Sequence, residues 1–325
     1  MERRSAMTML PAPPIERRAL PGTSLRFSAV TVALDPPAVA PPAADARTVA
    51  LLRRARERGI TTFDVARARF PARAERLIAT AFTATDPDLA VIVGRSIETL
   101  ASEHGPSDAR GSTGPPAEAL EASLEQSRRR LAPVPLMVLE WDPGRHEETP
   151  KSEPPIPFPA TVGASPPDLF WAYRLSSVNT VLPPVPRPPP LFAGEFSLLE
   201  DGVAPLFDSA PTVREARLIA RNPFGDGRLD GSRFAATMVP GEPGHGPVDV
   251  RRLHAEFDPV LRLGFLTQGR RRTLAQAALH FVLRWPWVAT CVIPLPTPER
   301  FDEILGYASS PPLDEDDLER WSRVK

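Results

Sequence analysis

The sequence predicts a single α/β domain built on a parallel sheet, and three observations predict it. Short apolar runs alternate with amphipathic stretches at helical spacing along most of the chain. Those runs are too uniformly apolar to alternate polar with apolar, which is how strands covered on both faces read. At 325 residues, 42% of them hydrophobic, the chain has the material for one α/β barrel, which needs about 250 residues plus insertions.

The elements follow in order. Residues 1–25 are basic and Pro-rich without a continuous apolar stretch, so they read as a flexible leader and not as a signal peptide. The folded domain is then expected over 26–325. Arg26–Leu34 (RFSAVTVAL) is the first predicted strand. A helix over 44–58 carries Val49, Leu51, Leu52 and Ala55 at helical spacing and stops at Gly59. Ile60–Val65 is a second strand, 72–84 a helix, and Leu89–Gly94 (LAVIVG) a third strand. After a charged, Gly-rich loop over 103–116 come a helix over 117–131 and the apolar run Pro135–Leu139.

Proline, at 42 residues, marks where this rhythm breaks, because it lacks an amide donor and fixes φ. Residues 142–159 (DPGRHEETPKSEPPIPFP) replace the crossover helix expected after strand four with a Pro-rich loop. A short strand over 160–164 and a weak helix over 168–175 follow. The run Pro183–Pro190 (PPVPRPPP) reads as an extended polyproline connector, with a proline-recognising partner as the alternative. The pattern then recovers. Strands are expected at 191–196, 216–221 and 289–294. Helices are expected at 251–263, 273–284, 298–307 and 314–324, with a long Gly-rich loop over 222–248.

Composition excludes several functions. Thirty-nine basic against 40 acidic residues leave a net charge of −1, so no electrostatic footprint for nucleic acid or an anionic membrane exists. No window approaches the ~18 consecutive apolar residues of a membrane span. Cys291 is the only cysteine, so neither an internal disulfide nor a cysteine-based metal site is expected, and a cytoplasmic home fits. Five scattered histidines share no ligand spacing.

Four segments in order resemble the aldo-keto reductases. Gly59–Phe82 (GITTFDVARARFPARAERLIATAF) resembles the family's Gly-Ile-Asn-Phe-Phe-Asp-Thr-Ala segment and the helix after it. Val162-Gly163-Ala164-Ser165 is similar to its fifth-strand Gly-Val-Ser. Ala220–Gly231 (ARNPFGDGRLDG) resembles its loop after strand seven, and Arg272–Leu305 its closing helix, last strand and cofactor helix. The resemblance implies a (β/α)8 TIM barrel and an NADP(H)-dependent carbonyl oxidoreductase acting on a small-molecule carbonyl substrate.

It also implies a site, and here the sequence departs from the family. A tyrosine should protonate the carbonyl oxygen, tuned by a lysine and an aspartate, with a histidine orienting the substrate. Asp64 matches the aspartate. The tyrosine position holds Arg69, a guanidinium with a pKa above ~12 that cannot serve as a neutral-pH acid. The lysine position holds Arg95. Glu140, Trp141 or Asp142 takes the histidine position, depending on register, and Glu140 is the candidate; His146 lies beyond it. The resemblance further assigns cofactor contacts to Ser165, Phe196, Pro223, Thr297, Arg300 and Glu303. Pro166, Ala193 and Ile304 replace expected polar residues. Two readings of the mouth result: ion pairs neutralising one another, or a site for an anionic ligand or altered chemistry. Accordingly, the alternative to a reductase is a catalytically inactive homologue that binds, scaffolds or regulates a protein partner. Tyr173 and Tyr307 are the only tyrosines that could replace the missing phenol.

Overall fold

Apolar runs covered on both faces require a closed or doubly covered sheet, and the chain closes it. The computed structural model describes residues 13–20, 23, 25–82, 86–96, 100, 117–142, 169–175, 191–209, 215–237, 250–267, 269 and 272–325. A two-stranded antiparallel hairpin, β1 (Arg17–Ala19) and β2 (Arg26–Ser28), comes first. Eight strands then form the barrel: β3 (Val30–Ala33), β4 (Thr62–Asp64), β5 (Ala90–Ser96), β6 (Leu136–Asp142), β7 (Leu169–Arg174), β8 (Leu191–Glu195), β9 (Arg217–Arg221) and β10 (Val288–Pro294). Each neighbouring pair is parallel, and β10 closes on β3.

Helices cover the outside. They are α1 (Pro42–Glu57), α2 (Pro71–Ala81), α3 (Ala117–Arg130), α4 (Ala204–Ser209), α5 (Ser232–Thr237), α6 (Val250–Arg262), α7 (Leu274–Leu283), α8 (Pro298–Leu305) and α9 (Glu315–Val324). Their boundaries follow local chemistry. Pro42 and Pro71 open α1 and α2, where a missing amide costs nothing. Reciprocal caps start α7 (Thr273 with Gln276) and α9 (Asp314 with Asp317). Gly59, at φ +92°, ends the turn after α1, a conformation that favours glycine. Among the described residues no helix is long and apolar enough to cross a membrane.

Alternation along each strand sorts the side chains into two cores. Inside the barrel lie Ala90, Ile92, Val138, Ala172, Ala193 and Ile219. Between barrel and helices lie Val91, Val93, Leu139, Tyr173, Phe192 and Leu218, packed against residues such as Leu52, Ile78 and Phe281.

The structure corrects the expected element list in three places. The predicted leader is structured from residue 13 in its described part: Ile15 and Leu20 are buried, and β1 pairs with β2. The first strand breaks at Ala29, so that β2 turns away to the hairpin and only β3 joins the barrel. Residues 168–175, expected to be a weak helix, contain strand β7. Its alternation places Phe170 and Ala172 with the interior and Trp171 and Tyr173 with the outer layer, and its aromatic residues favour a pleated surface. The fifth barrel strand is therefore β7. The 160–164 strand, the Pro-rich replacement of the crossover after strand four and the 183–190 connector lie outside the described residues.

Candidate functional site

Parallel strands bring their C-terminal ends to one face, and the residues after the last apolar interior layer line the mouth there. Counting outward in twos from Ile92, Val138, Ala172, Ala193 and Ile219, the inward positions are Gly94, Glu140, Arg174, Glu195 and Arg221. Asp64 ends β4 on the same rim. A cleft of about 690 Å³ opens above them, with Asp64, Arg67, Glu195 and Arg221 among its lining residues.

The floor is a buried triad. Arg221 donates through Nη2 to Asp64 Oδ2 at 2.6 Å and through Nε to Glu140 Oε2 at 2.8 Å. All three side chains are at most 3% exposed. Burial pulls the Arg221 pKa down, but the Asp64 and Glu140 carboxylates outweigh it and hold the guanidinium above its usual range. Asp64 also accepts the Ala66 amide at 3.1 Å, which fixes the turn after β4. Higher on the rim, Arg174 pairs with Asp142. Arg67 meets Glu195 only at 3.7 Å. Burial, then repulsion from Arg221 and Arg174, lowers the Arg67 pKa to about 10.

The sequence therefore names two of the three triad members. It misses Arg221, although a signal exists: Arg221 closes an apolar strand, and period-two counting from Ile219 turns it inward. No comparable signal marks Arg67, which sits in a turn.

Arg69 and Arg95, which the resemblance assigns to the same catalytic site as Asp64, do not reach it. Arg69 lies outside the mouth, 72% exposed, and its Nε donates to Asp35 Oδ2 at 3.0 Å. Arg95 points outward from β5 into α3, where its Nε donates to Ser123 Oγ at 2.7 Å and its Nη2 to Ser127 Oγ at 2.6 Å. Strand parity explains this, because Arg95 follows the inward Gly94. A Cβ at Gly94 would lie 2.2 Å from the Ala66 carbonyl oxygen, so the inward position has no room for a side chain.

Neither tyrosine fills the missing role. Both belong to the outer layer rather than the barrel mouth. Burial and then the Asp142 carboxylate push the Tyr173 phenol up to about 12, and burial likewise raises Tyr307. Of the histidine-position candidates, Glu140 faces inward and Trp141 lies in the outer core.

The expected cofactor residues are brought together only in part: Arg300 bonds Asp230, which lines the cleft together with Pro223. Phe196 is fully buried against Phe281 and Trp287, with ring centroids 5.5 and 5.0 Å away, and offers no free face at the mouth. Pro223 lines the cleft. Thr297 precedes α8 without capping it through its side chain, and Pro298 occupies the first turn. Arg300 donates to the Asp230 carbonyl oxygen and lies 3.7 Å from Glu303 Oε2. Ser165 lies outside the described residues.

No family model matches the sequence, and no curated protein matches it. Solved structures do match its fold. The apo form of aldo-keto reductase AKR11C1 from Bacillus halodurans superposes with a TM-score of 0.60 at 13% identity, covering 95% of this chain and 96% of that one. Its holo form gives 0.62 at 14% identity with the same coverage. The glycerol dehydrogenase AKR11B4 from Gluconobacter oxydans gives 0.63 at 15%, covering 95% of this chain and 94% of that one. With eight parallel strands, a matching length and these superpositions, the chain has the (β/α)8 barrel fold of the aldo-keto reductases.

Proposed function

We propose that this protein binds a small molecule at the barrel mouth and does not reduce carbonyls by the chemistry of the reductases whose fold it shares. The observation that carries this reading is the Asp64–Arg221–Glu140 triad. A reductase of this fold needs a phenol near this aspartate to give up a proton; the group that pairs with Asp64 is instead a guanidinium locked between two carboxylates, which cannot act as an acid near neutral pH. Among the described residues lining the cleft there is no tyrosine, histidine, cysteine or lysine.

The residues also fit a nicotinamide dinucleotide poorly. Its ring would stack on Phe196, which is enclosed by other aromatics. Arg300, which the resemblance assigns to the cofactor, is already engaged by Asp230. A cytoplasmic location belongs to the same reading, supported by a single cysteine buried in β10.

The second reading is an NADP(H)-dependent carbonyl oxidoreductase working by a changed mechanism, favoured by the likeness to reductases and a glycerol dehydrogenase. Fluorescence titration with NADPH, together with assays on simple aldehydes, separates the two. No quenching at high micromolar NADPH and no turnover are expected. Saturable quenching with aldehyde-dependent NADPH oxidation would establish the second reading.

A further inference from the structure

We infer that the floor of the cleft recognises the carboxylate of a small aliphatic acid, with Arg67 and the Nη1 edge of Arg221 as donors. This rests on reading the mouth as a ligand site and names the ligand class.

Arg221 supplies the first observation. Its Nε and Nη2 are taken by Glu140 and Asp64, but among the described residues Nη1 has no hydrogen-bond partner. Nη1 is not fully enclosed, and the residue, 3% exposed, lines the cleft. A guanidinium edge open to the cleft can exchange solvent for a ligand acceptor, and its bond to a carboxylate is stronger than one to a neutral group. Asp64 and Glu140 are positioning residues that fix which edge faces the ligand.

Arg67 supplies the second. It lines the same cleft, makes no hydrogen bond among the described residues, and meets Glu195 only at 3.7 Å, beyond hydrogen-bond reach. Repulsion between Arg67 and Arg221 registers in the lowered Arg67 pKa, beside the larger effect of burial. Two arginines lining one cleft can supply the paired donors that suit a planar, two-oxygen carboxylate.

Glu195 is the internal competitor. Its side chain is 53% exposed, so it can swing to solvent when a ligand carboxylate takes Arg67. The triad itself holds one cation against two carboxylates, and of the other aspartates lining the cleft Asp35, Asp45 and Asp230 are paired with Arg69, Arg73 and Arg300 while Asp226 is held by Asn222, so an anion binds modestly and only as Glu195 leaves. Pro36, Pro37, Ala40, Ala44 and Leu295 supply an apolar wall for a short hydrocarbon chain. The cleft volume falls within the roughly 300–1,000 Å³ usual for small-molecule sites.

Calorimetric titration of the full chain with hexanoate, and with hexanol and hexylamine as neutral and cationic analogues, tests the inference. Hexanoate should bind while hexanol and hexylamine do not. Glu195→Gln should tighten hexanoate severalfold. Arg67→Gln should weaken it about tenfold, the worth of one charged hydrogen bond. These two variants leave the buried triad intact, so folding is not the variable. Equal binding of hexanol, preferential binding of hexylamine, unchanged affinity in Arg67→Gln, or no hexanoate binding even in Glu195→Gln would overturn the ligand class. In those cases silent NADPH leaves the non-redox reading standing, whereas NADPH binding with turnover removes that reading whatever hexanoate does.

Discussion

Arg221, Asp64 and Glu140 hold one another in place, and none is stable there alone. A buried ion cluster returns little net stability compared with an apolar core, but removing one member strands the others. Arg221→Met should therefore cost about 3–5 kcal/mol of unfolding free energy, because it leaves two carboxylates enclosed without their cation. Adding Asp64→Asn and Glu140→Gln to that variant should recover a large part of the loss, since no charge then remains to be paired. Urea denaturation of the single and triple variants checks both. If Arg221→Met unfolds like the parent, the triad is not the enclosed unit described here. The same residues show what the sequence gives away at this scale. Asp64 and Glu140 are readable because the family resemblance assigns a functional side chain to each position, Glu140 as one of three register alternatives. Arg95 misleads because its place in a motif says nothing about which face it occupies. Only the pairing parity, with Gly94 inward beside Glu140, decides that.

The β1–β2 hairpin shows how an element can do structural work that composition hides. Leu20 and Phe27 are 1% and 0% exposed and pack with interior residues such as Ala90, Leu191 and Ala289 at the starts of the barrel strands. The hairpin thus closes the end opposite the mouth. Arg18 ties it down by donating to the Val288 carbonyl oxygen at 3.0 Å. Phe27→Ala should cost about 3–5 kcal/mol, as expected for emptying an aromatic site in a packed interior. Thermal unfolding monitored by circular dichroism reads the loss, and a shift near zero would mean that the plug is dispensable. Long periodic elements such as α1, α2 and α7 are legible from sequence because their apolar spacing is repeated over several turns. A three-residue strand in a basic, Pro-rich stretch is not, since its stability comes from the barrel end it covers. β7 reads as a helix for a related reason: six residues are too few for periodicity to separate strand from helix.

At the scale of the molecule, the barrel was legible through repetition, because eight strands and their covering helices leave many consistent signals. The chemistry was not, because a barrel supports unrelated functions through a few mouth residues. This separation makes a strong prediction about restoring reductase activity. On motif position alone, Arg69→Tyr with Arg95→Lys would rebuild the phenol and its ammonium. In the structure neither side chain reaches Asp64: Arg69 pairs with Asp35, and Arg95 is embedded in α3. The double variant should therefore show no NADPH-dependent turnover of simple aldehydes. It should also be less stable by about 1–3 kcal/mol, since lysine cannot reproduce the Arg95 hydrogen bonds to Ser123 and Ser127. Moving the lysine to the inward position does not help, because a Cβ at residue 94 would collide with the Ala66 carbonyl oxygen. Measurable turnover by the double variant would mean that the mouth can rearrange to admit both groups, and that the clamp around Arg221 does not define the resting site.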